Sequence, residues 1–531
     1  MKELQLQELT VKQKLGLCMT GFIRYEGKEN DPCEEDYART LDLIREHSLG
    51  ALWILPTNPA REKIMADVKA AADYPILLIT DAESGLGEHV IGAHNAIGCA
   101  NNEELAYAFG KVTAVQAREM GYNVVCDPIL DMTTVNTACG VTSRALGSDK
   151  YIVSKLATAI AQGMHDGGVL SVAKHYPSVM GDGKIDPHMA EKVSMETKEE
   201  LLDYHLYPYL QLMKSGLLDG IMVGHERLPN IDPDAPASMS PKVIGVIREQ
   251  GFDGFAITDA LSMMGVVAKY GATTCKGLAI ANGNDLALPW GAIYDDFQDM
   301  CTTYDMGLIP EERLNEAVRR VLEAQHKTLS LAQEARITPE DGEKIQRINR
   351  EGTYAILDEG LTEQISREGK HFFVVLTEQS VNMDGAGKID VDTMKSKWYD
   401  PLKIMDQLKE LFPNSTAYPI HEFSSVEQNW WVLEHSVDYD DVVFITFTML
   451  GAYAGEEGFT KRVISLVRSL QVTKQVSTVV HFGNPFVLEE LEHIPRILVG
   501  RTAQKSVEHT LEILAGLHSA KGVPTYDVKL K

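Results

Sequence analysis

The sequence predicts an α/β protein, a (β/α)8 TIM-type barrel followed by a smaller α/β sandwich domain. Three observations point to it. Short apolar runs alternate with longer amphipathic stretches over roughly the first 330 residues, giving seven or eight repeats of one unit. Most runs carry no charge until their last residue or just beyond, as expected of strands buried on both faces of a parallel sheet. Polar residues then collect at the run ends: Asp81, Asp127, Lys174-His175, His225 and Asp259. In a barrel of parallel strands these ends converge on one mouth, where active sites form. Any one of them could simply cap the next helix; five together argue for a shared mouth.

In chain order the candidate strands are 50–55, 75–80, 122–126, 170–174, 220–223, 255–258 and 285–288, bounded by Gly, Pro or Asp. Residues 311–325 read as a closing helix with Leu314, Val318, Val321 and Leu322 on one face. Thr338-Pro339-Glu340-Asp341 is a helix start, with an N-cap, a proline at the first helical position and acids in the first turn. That helix is expected to run to about 358 and to bridge two domains. Apolar runs at 372–376, 442–447, 476–482 and 497–499, with an amphipathic stretch at 459–470 between them, predict the second domain. The expected division is 1–335 barrel, 336–365 linker helix and 366–531 sandwich. No Gly-rich phosphate loop follows a strand of the second part. Trp398, Trp430 and Trp431 read as core or domain contacts rather than a platform for a sugar.

The chain has 531 residues, 44% of them hydrophobic, with 76 acidic and 50 basic side chains and a net charge of −26. So acidic a protein lacks the positive charge that nucleic acids and anionic membranes require. No run of 18 apolar residues is present and the first residues lack a signal-peptide core. The seven cysteines are odd in number and never spaced CxxC, which favours reduced thiols over disulfides or a structural zinc. A cytoplasmic protein is the expectation.

Two segments carry chemistry. In the first, Lys174-His175-Tyr176-Pro177 leads through a polar, glycine-containing loop to Asp186-Pro187-His188. A carboxylate two residues from an imidazole can hold its tautomer and raise its basicity, and an imidazole near neutral pH can donate and recover a proton in one cycle. Standing alone, such a pair is a common surface turn. In the second, Asp259 ends a buried strand, where Lys174 could stabilise its charge. A fixed carboxylate facing a proton donor is what a retaining glycosidase requires, although an N-cap role would place an aspartate there too.

These residues resemble glycoside hydrolase family 3, in its β-N-acetylhexosaminidase branch. Lys174-His175-Tyr176-Pro177…Asp186-Pro187-His188 is similar to the family pattern KHFPGHGxxxxDSH, and Ile257-Thr258-Asp259-Ala260-Leu261-Ser262-Met263 to SDDLSM. Leu49-Gly50-Ala51-Leu52-Trp53, Asp81-Ala82-Glu83-Ser84-Gly85, Thr142-Ser143-Arg144-Ala145-Leu146-Gly147, Met222-Val223-Gly224-His225, Pro236-Ala237-Ser238-Met239-Ser240 and Asn282-Gly283-Asn284-Asp285 match further family segments in order over residues 8–325. The resemblance implies Asp259 as nucleophile, His188 as acid/base oriented by Asp186, and Asp81, Arg144, Lys174, His175 and His225 as ligands of the sugar hydroxyls. It implies a carbohydrate substrate, a covalent glycosyl-enzyme intermediate, retained configuration, and neither metal nor cofactor. Several positions depart from the family pattern. Ser178-Val179-Met180 stands for GHG, the loop is one residue longer, and Pro187 stands for Ser or Thr. Ala260 replaces a second aspartate, and Ser84-Gly85-Leu86 replaces GGR.

Alternatives stay open at this point. Within the family, a β-glucosidase-type enzyme would draw its acid/base from the second domain, with Glu456 or Glu457 as candidates, and a β-N-acetylglucosaminide phosphorylase would use the same barrel residues with phosphate. Outside it, a metal hydrolase would use His175, His188, His225 and Asp259 as ligands. A catalytically altered sugar-binding protein is the non-enzyme reading.

Overall fold

The computed structural model describes residues 1–132, 141–179, 186–377, 399–448, 458–473 and 475–530, and the strand backbones at 380–383 and 389–392. The chain forms two compact units. The first holds Met1–His89, Glu103–Thr133 and Asp149–Gly342; the second holds Val90–Asn102, Thr134–Ser148 and Glu343–Lys531. Segments 90–102 and 134–148, which lie within the stretch the sequence reading gives to the barrel, thus belong to the second unit.

The first unit is a sheet of seven strands in sequential order: β1 (Thr20–Phe22), β2 (Ala51–Trp53), β3 (Leu77–Thr80), β4 (Val124–Val125), β5 (Leu170–Tyr176), β6 (Gly220–Val223) and β7 (Phe255–Thr258). Every neighbouring pair is parallel, so each connection must cross over, and helices such as Glu103–Glu119 and Lys150–Gly167 do so. The two ends of the sheet meet. Thr20 N donates to Ala287 O at 2.8 Å, and Thr258 N donates to Leu286 O at 3.0 Å. Residues 286–287 therefore take the eighth position between β7 and β1, as isolated bridges rather than a full strand over 285–288. The apolar runs turn inward as one core: Trp53, Leu77, Val124, Leu170, Val172, Met222, Ile257 and Leu286 are all buried together, each contributing ~1.5–3 kcal/mol by leaving water.

Close approach explains Gly50: a Cβ there would lie 1.9 Å from the Leu17 carbonyl oxygen. The helix Glu311–Thr328 buries Leu314, Val318, Val321 and Leu322, and its Gln325 amide donates to Gly50 O at 3.0 Å. Below the barrel, Asp285 is fully buried between three guanidiniums, Arg248 at 2.8 Å, Arg313 at 2.6 Å and Arg320 at 3.4 Å.

The helix opened by Thr338 starts as the sequence predicts. Thr338 N donates to Asp341 Oδ2 at 2.9 Å, and Asp341 N donates to Thr338 Oγ1 at 3.2 Å. It ends at Glu351 rather than near 358, because Tyr354–Leu357 turns extended as β8. The second unit is built on a six-stranded sheet of β8, β9 (His371–Thr377), β12 (Thr416–His421), β13 (Asp441–Thr448), β14 (Val476–Gly483) and β15 (Arg496–Gly500), in the order β12-β9-β13-β14-β15-β8. β10 (Ser380–Met383) and β11 (Ile389–Asp392) pair separately as an antiparallel ribbon. Only the β15–β8 pair of the large sheet is antiparallel.

Alternation along β9 shows the sandwich. Phe372, Val374 and Leu376 enter one apolar cluster, and Phe373 and Val375 enter the other, the period of two that a strand imposes. Trp431 stacks on Tyr418, with ring centroids 4.1 Å apart, at the edge of the first cluster. Trp430 is exposed. Trp398, Glu456, Glu457 and the loop 180–185 lie outside the described residues.

Candidate active site

The site is built from the ends of β3, β5, β6 and β7. Lys174, in β5, is buried and its ammonium pairs with Asp81, just past β3, and with Glu83 at 2.5 Å. Two carboxylates compensate the cost of burying this cation. The next residue, His175, sets its Nδ1 2.7 Å from Oδ2 of the buried Asp131, and its backbone N–H also donates to that carboxylate at 3.2 Å. Of the two acids after β4, Asp131 is the one that meets His175.

His188 repeats the arrangement. Its Nδ1 lies 2.6 Å from Oδ1 of Asp186, and its backbone N–H donates to the same oxygen at 2.9 Å. Asp186 is buried while the imidazole is partly exposed. A carboxylate can only accept, so Nδ1 carries the hydrogen and Nε2 is the ring atom suited to proton exchange.

His225 follows β6 and is buried. Its Nε2 lies 3.1 Å from the Ala260 carbonyl and its Nδ1 lies 2.7 Å from Ser238 Oγ. A carbonyl accepts, so Nε2 donates to Ala260 and Nδ1 accepts from the Ser238 hydroxyl. Burial lowers the pKa of this imidazole. Both ring nitrogens are spent on the protein, and His225 braces the turn that carries Asp259.

Asp259 ends β7. Its backbone N–H donates to Val223 O at 2.9 Å and its Oδ1 accepts from Ala260 N at 2.6 Å. Burial pushes its carboxyl up, but the neighbouring imidazoles, His175 first, and the Ala260 N–H together hold it below the usual carboxylate range. The carboxylate is therefore ionised at neutral pH, and the loop that follows it is tied to the Asp186–His188 segment by Met264 N donating to His188 O at 3.0 Å.

Arg144 belongs to the second unit. Its backbone N–H donates to Val141 O at 2.9 Å, in a turn fastened by the Tyr526 hydroxyl donating to Thr142 O at 2.5 Å.

Glu83, Asp131 and Glu226 are candidate site residues that the sequence reading does not name as such. Glu226 follows His225, and a Cβ on Gly224 would lie 2.6 Å from its Oε2, so the glycine makes room for this carboxyl. Burial pushes Glu226 up to about 7; Asp131 adds to the rise, while its own N–H, Lys192 and His175 oppose it. The residues of the metal-hydrolase alternative do not assemble as ligands. Among the described residues, a group with ligand atoms within 4.8 Å of one another is His509, Glu512 and His518, in the second unit.

Comparison with known proteins gives this geometry its context. Residues 3–324 match the family model described as the glycosyl hydrolase family 3 N terminal domain. A beta-hexosaminidase of Hydrogenovibrio crunogenus is 35% identical over 189 residues, 35% of this chain and 51% of its own length, so the chain spans about half of that relative. A beta-hexosaminidase of Pseudomonas aeruginosa is 30% identical over 263 residues, covering 47% of this chain and 78% of its own. Among solved structures, a glycoside hydrolase family 3 beta-N-acetylglucosaminidase from Paenibacillus sp. superposes with a TM-score of 0.81 over 98% of this chain and 100% of that one, at 22% identity. That likeness establishes a barrel and an α/β sandwich as the chain's two folds. With the model match covering well over half its length, the chain belongs to glycosyl hydrolase family 3.

Proposed function

We propose that the protein is a retaining β-glycosidase that releases terminal β-linked N-acetylhexosamine, N-acetylglucosamine above all. What supports this reading is an ionised Asp259 at the end of β7, whose following loop is hydrogen-bonded to the backbone of His188, an imidazole whose tautomer is fixed by a buried aspartate. The two hexosaminidase relatives support the choice of sugar.

In the reaction we infer, the Asp259 carboxylate attacks the anomeric carbon while His188 Nε2–H protonates the departing glycosidic oxygen. The C–O bond to the aglycone breaks and a glycosyl ester of Asp259 forms. His188, now neutral at Nε2, takes a proton from water, whose oxygen attacks the same carbon and frees Asp259 with configuration retained. Asp186 stabilises the imidazolium in each half-reaction. Lys174, Asp81 and Glu83 form a charged cluster suited to sugar hydroxyls, with donors and acceptors that tighten as the ring flattens. His175, set by Asp131, completes that side.

The test is hydrolysis of p-nitrophenyl β-N-acetylglucosaminide beside the β-glucoside. The N-acetyl substrate is expected to turn over faster, and His188→Ala to lose ~10²–10⁴-fold in kcat/KM. A preference for the glucoside, with His188→Ala unchanged, would refute the assignment. A second reading, phosphorolysis, is favoured by the chemistry of the dyad, since a neutral imidazole does not repel phosphate as a carboxylate would. Release of N-acetylglucosamine 1-phosphate in phosphate buffer would select it.

A further inference from the structure

In the second unit the helix Gln504–Leu514 carries His509 and Glu512 three residues apart, a spacing that sets both side chains on one face. Val507, Leu511 and Leu514 are buried, and Leu514 O accepts from Ile365 N at 2.9 Å, so the end of the helix is fixed. There the chain reverses. Gly516 has a φ of +73°, its N–H donates to Ile513 O at 2.9 Å, and Leu517 N donates to Glu512 O at 2.9 Å. This pair of bonds closes a helix on a left-handed glycine. His518, two residues on, is thereby returned to the side of Glu512. His509 Nδ1 lies 2.9 Å from Glu512 Oε2, and His518 Nε2 lies 3.4 Å from the same oxygen. One ligand atom from each of the three side chains lies within 4.8 Å of the others. The 3.4 Å separation is longer than an N–H···O hydrogen bond. It matches the spacing of about 3.3 Å between two ligands on one tetrahedral zinc ion.

We propose that His509, Glu512 and His518 bind a divalent transition-metal ion of the zinc type, with water completing its coordination. Two imidazoles and one carboxylate suit such an ion, whereas Mg²⁺ and Ca²⁺ take oxygen ligands. The surroundings favour a cation. Glu512 and the turn that holds His518 sit at the C-terminal end of the helix, the negative end of its dipole, and the nearby Lys505 ammonium is engaged by Glu508 at 2.8 Å. Both rings and the carboxylate are partly open to solvent, so an ion reaches them without unfolding. With the metal on Nδ1, His509 carries its hydrogen on Nε2. The bound ion ties the reversed chain at 515–518 to the helix, and it therefore acts on the stability of the second unit. None of the three ligands belongs to the proposed sugar site, and the inference stands apart from the glycosidase reading.

The test is calorimetric titration of zinc chloride into the full chain, stripped with a chelator and dialysed free of it, together with thermal melting. Wild type is expected to bind one equivalent with a Kd of ~10 µM or tighter. A tenfold excess of Zn²⁺ over that Kd should raise the melting temperature by about 3 °C or more, and the same concentration of Mg²⁺ should leave it unchanged. His518→Ala, on an exposed turn, should weaken zinc binding at least ~10-fold and abolish the rise in melting temperature. His188→Ala, which removes a ring from the barrel mouth, should leave both as in wild type. Should His518→Ala fail to fold, Glu512→Gln carries the same expectation. Zinc binding that survives in these variants of the triad, or that falls with His188→Ala, places the ion elsewhere and overturns the proposal. Absence of binding by wild type overturns it too, and leaves two imidazoles sharing one carboxylate.

Discussion

His175 and Asp131 are 44 residues apart, yet the imidazole rests on that carboxylate at 2.7 Å. A hydrogen bond of this charge-assisted kind contributes ~1.5–3 kcal/mol, so Asp131→Ala should lower kcat/KM by about 10- to 100-fold. Steady-state kinetics on the p-nitrophenyl substrate measures this, and an unchanged value would remove Asp131 from the site. Glu226 makes a separate prediction about pH. Its folded pKa of about 7 lies above the ordinary 4.5, so folding favours its protonated form. The stability linked to it is fully present below pH 4.5 and is lost as pH rises through 7. Thermal melting of wild type should therefore weaken from pH 5 to pH 8 more steeply than that of Glu226→Gln. Parallel curves would contradict the burial of an acid there. Asp259, His188 and Lys174 were legible because each stands at a strand end or in a local motif. Asp131, Glu83 and Glu226 were not, because what draws them to the candidate site is a neighbour on another strand or loop.

Among the elements, β6 and β7 match the expected strands residue for residue, since Gly220–Val223 and Phe255–Thr258 are uncharged runs buried on both faces. β1 escaped notice, being three residues that include Thr20 and Gly21. In the large sheet of the second unit β12 and β8 were missed, and both are edge strands; the separate β10–β11 ribbon was not anticipated either. β12 contains Pro419, a residue tolerated at an edge but a poor sign of a strand in sequence. β8 follows so closely on the helix Pro339–Glu351 that helical periodicity masks it. The turn before residues 286–287 rests on Asp285 and its three arginines. Removing a buried charge partner costs ~3–5 kcal/mol, so Asp285→Ala should lower the unfolding free energy obtained by denaturant titration by that much. A shift below ~1 kcal/mol would show that the cluster contributes nothing net.

At the scale of the whole molecule, the second unit draws on chain from three places. Asn95 Nδ2 donates to Thr525 Oγ1 at 2.8 Å across 430 residues of sequence, and Tyr526 fastens the turn at Thr142 and Ala145. No local pattern announces such pairings, which is why the barrel and the sandwich read as consecutive blocks. A chain cut after Gly342 would strip cover from Ile91, Ile97, Cys99, Ala145 and Leu146, all buried in the intact protein. Such a fragment is expected to aggregate or to lose its near-ultraviolet circular dichroism; a soluble fragment with native dichroism would show that the short segments fold without the rest of their unit.

The central claim is that Asp259 and His188 act as nucleophile and proton shuttle on a β-linked N-acetylhexosaminide. Its most direct measurement is trapping, by mass spectrometry of the protein incubated with an activated 2,4-dinitrophenyl β-N-acetylglucosaminide. That substrate needs no proton for its leaving group, so His188→Ala should form the glycosyl-enzyme but release it slowly. One added N-acetylhexosamine is expected on the peptide holding Asp259 in His188→Ala, and none in Asp259→Ala. Label on any other carboxylate, or rapid release by His188→Ala, would contradict it.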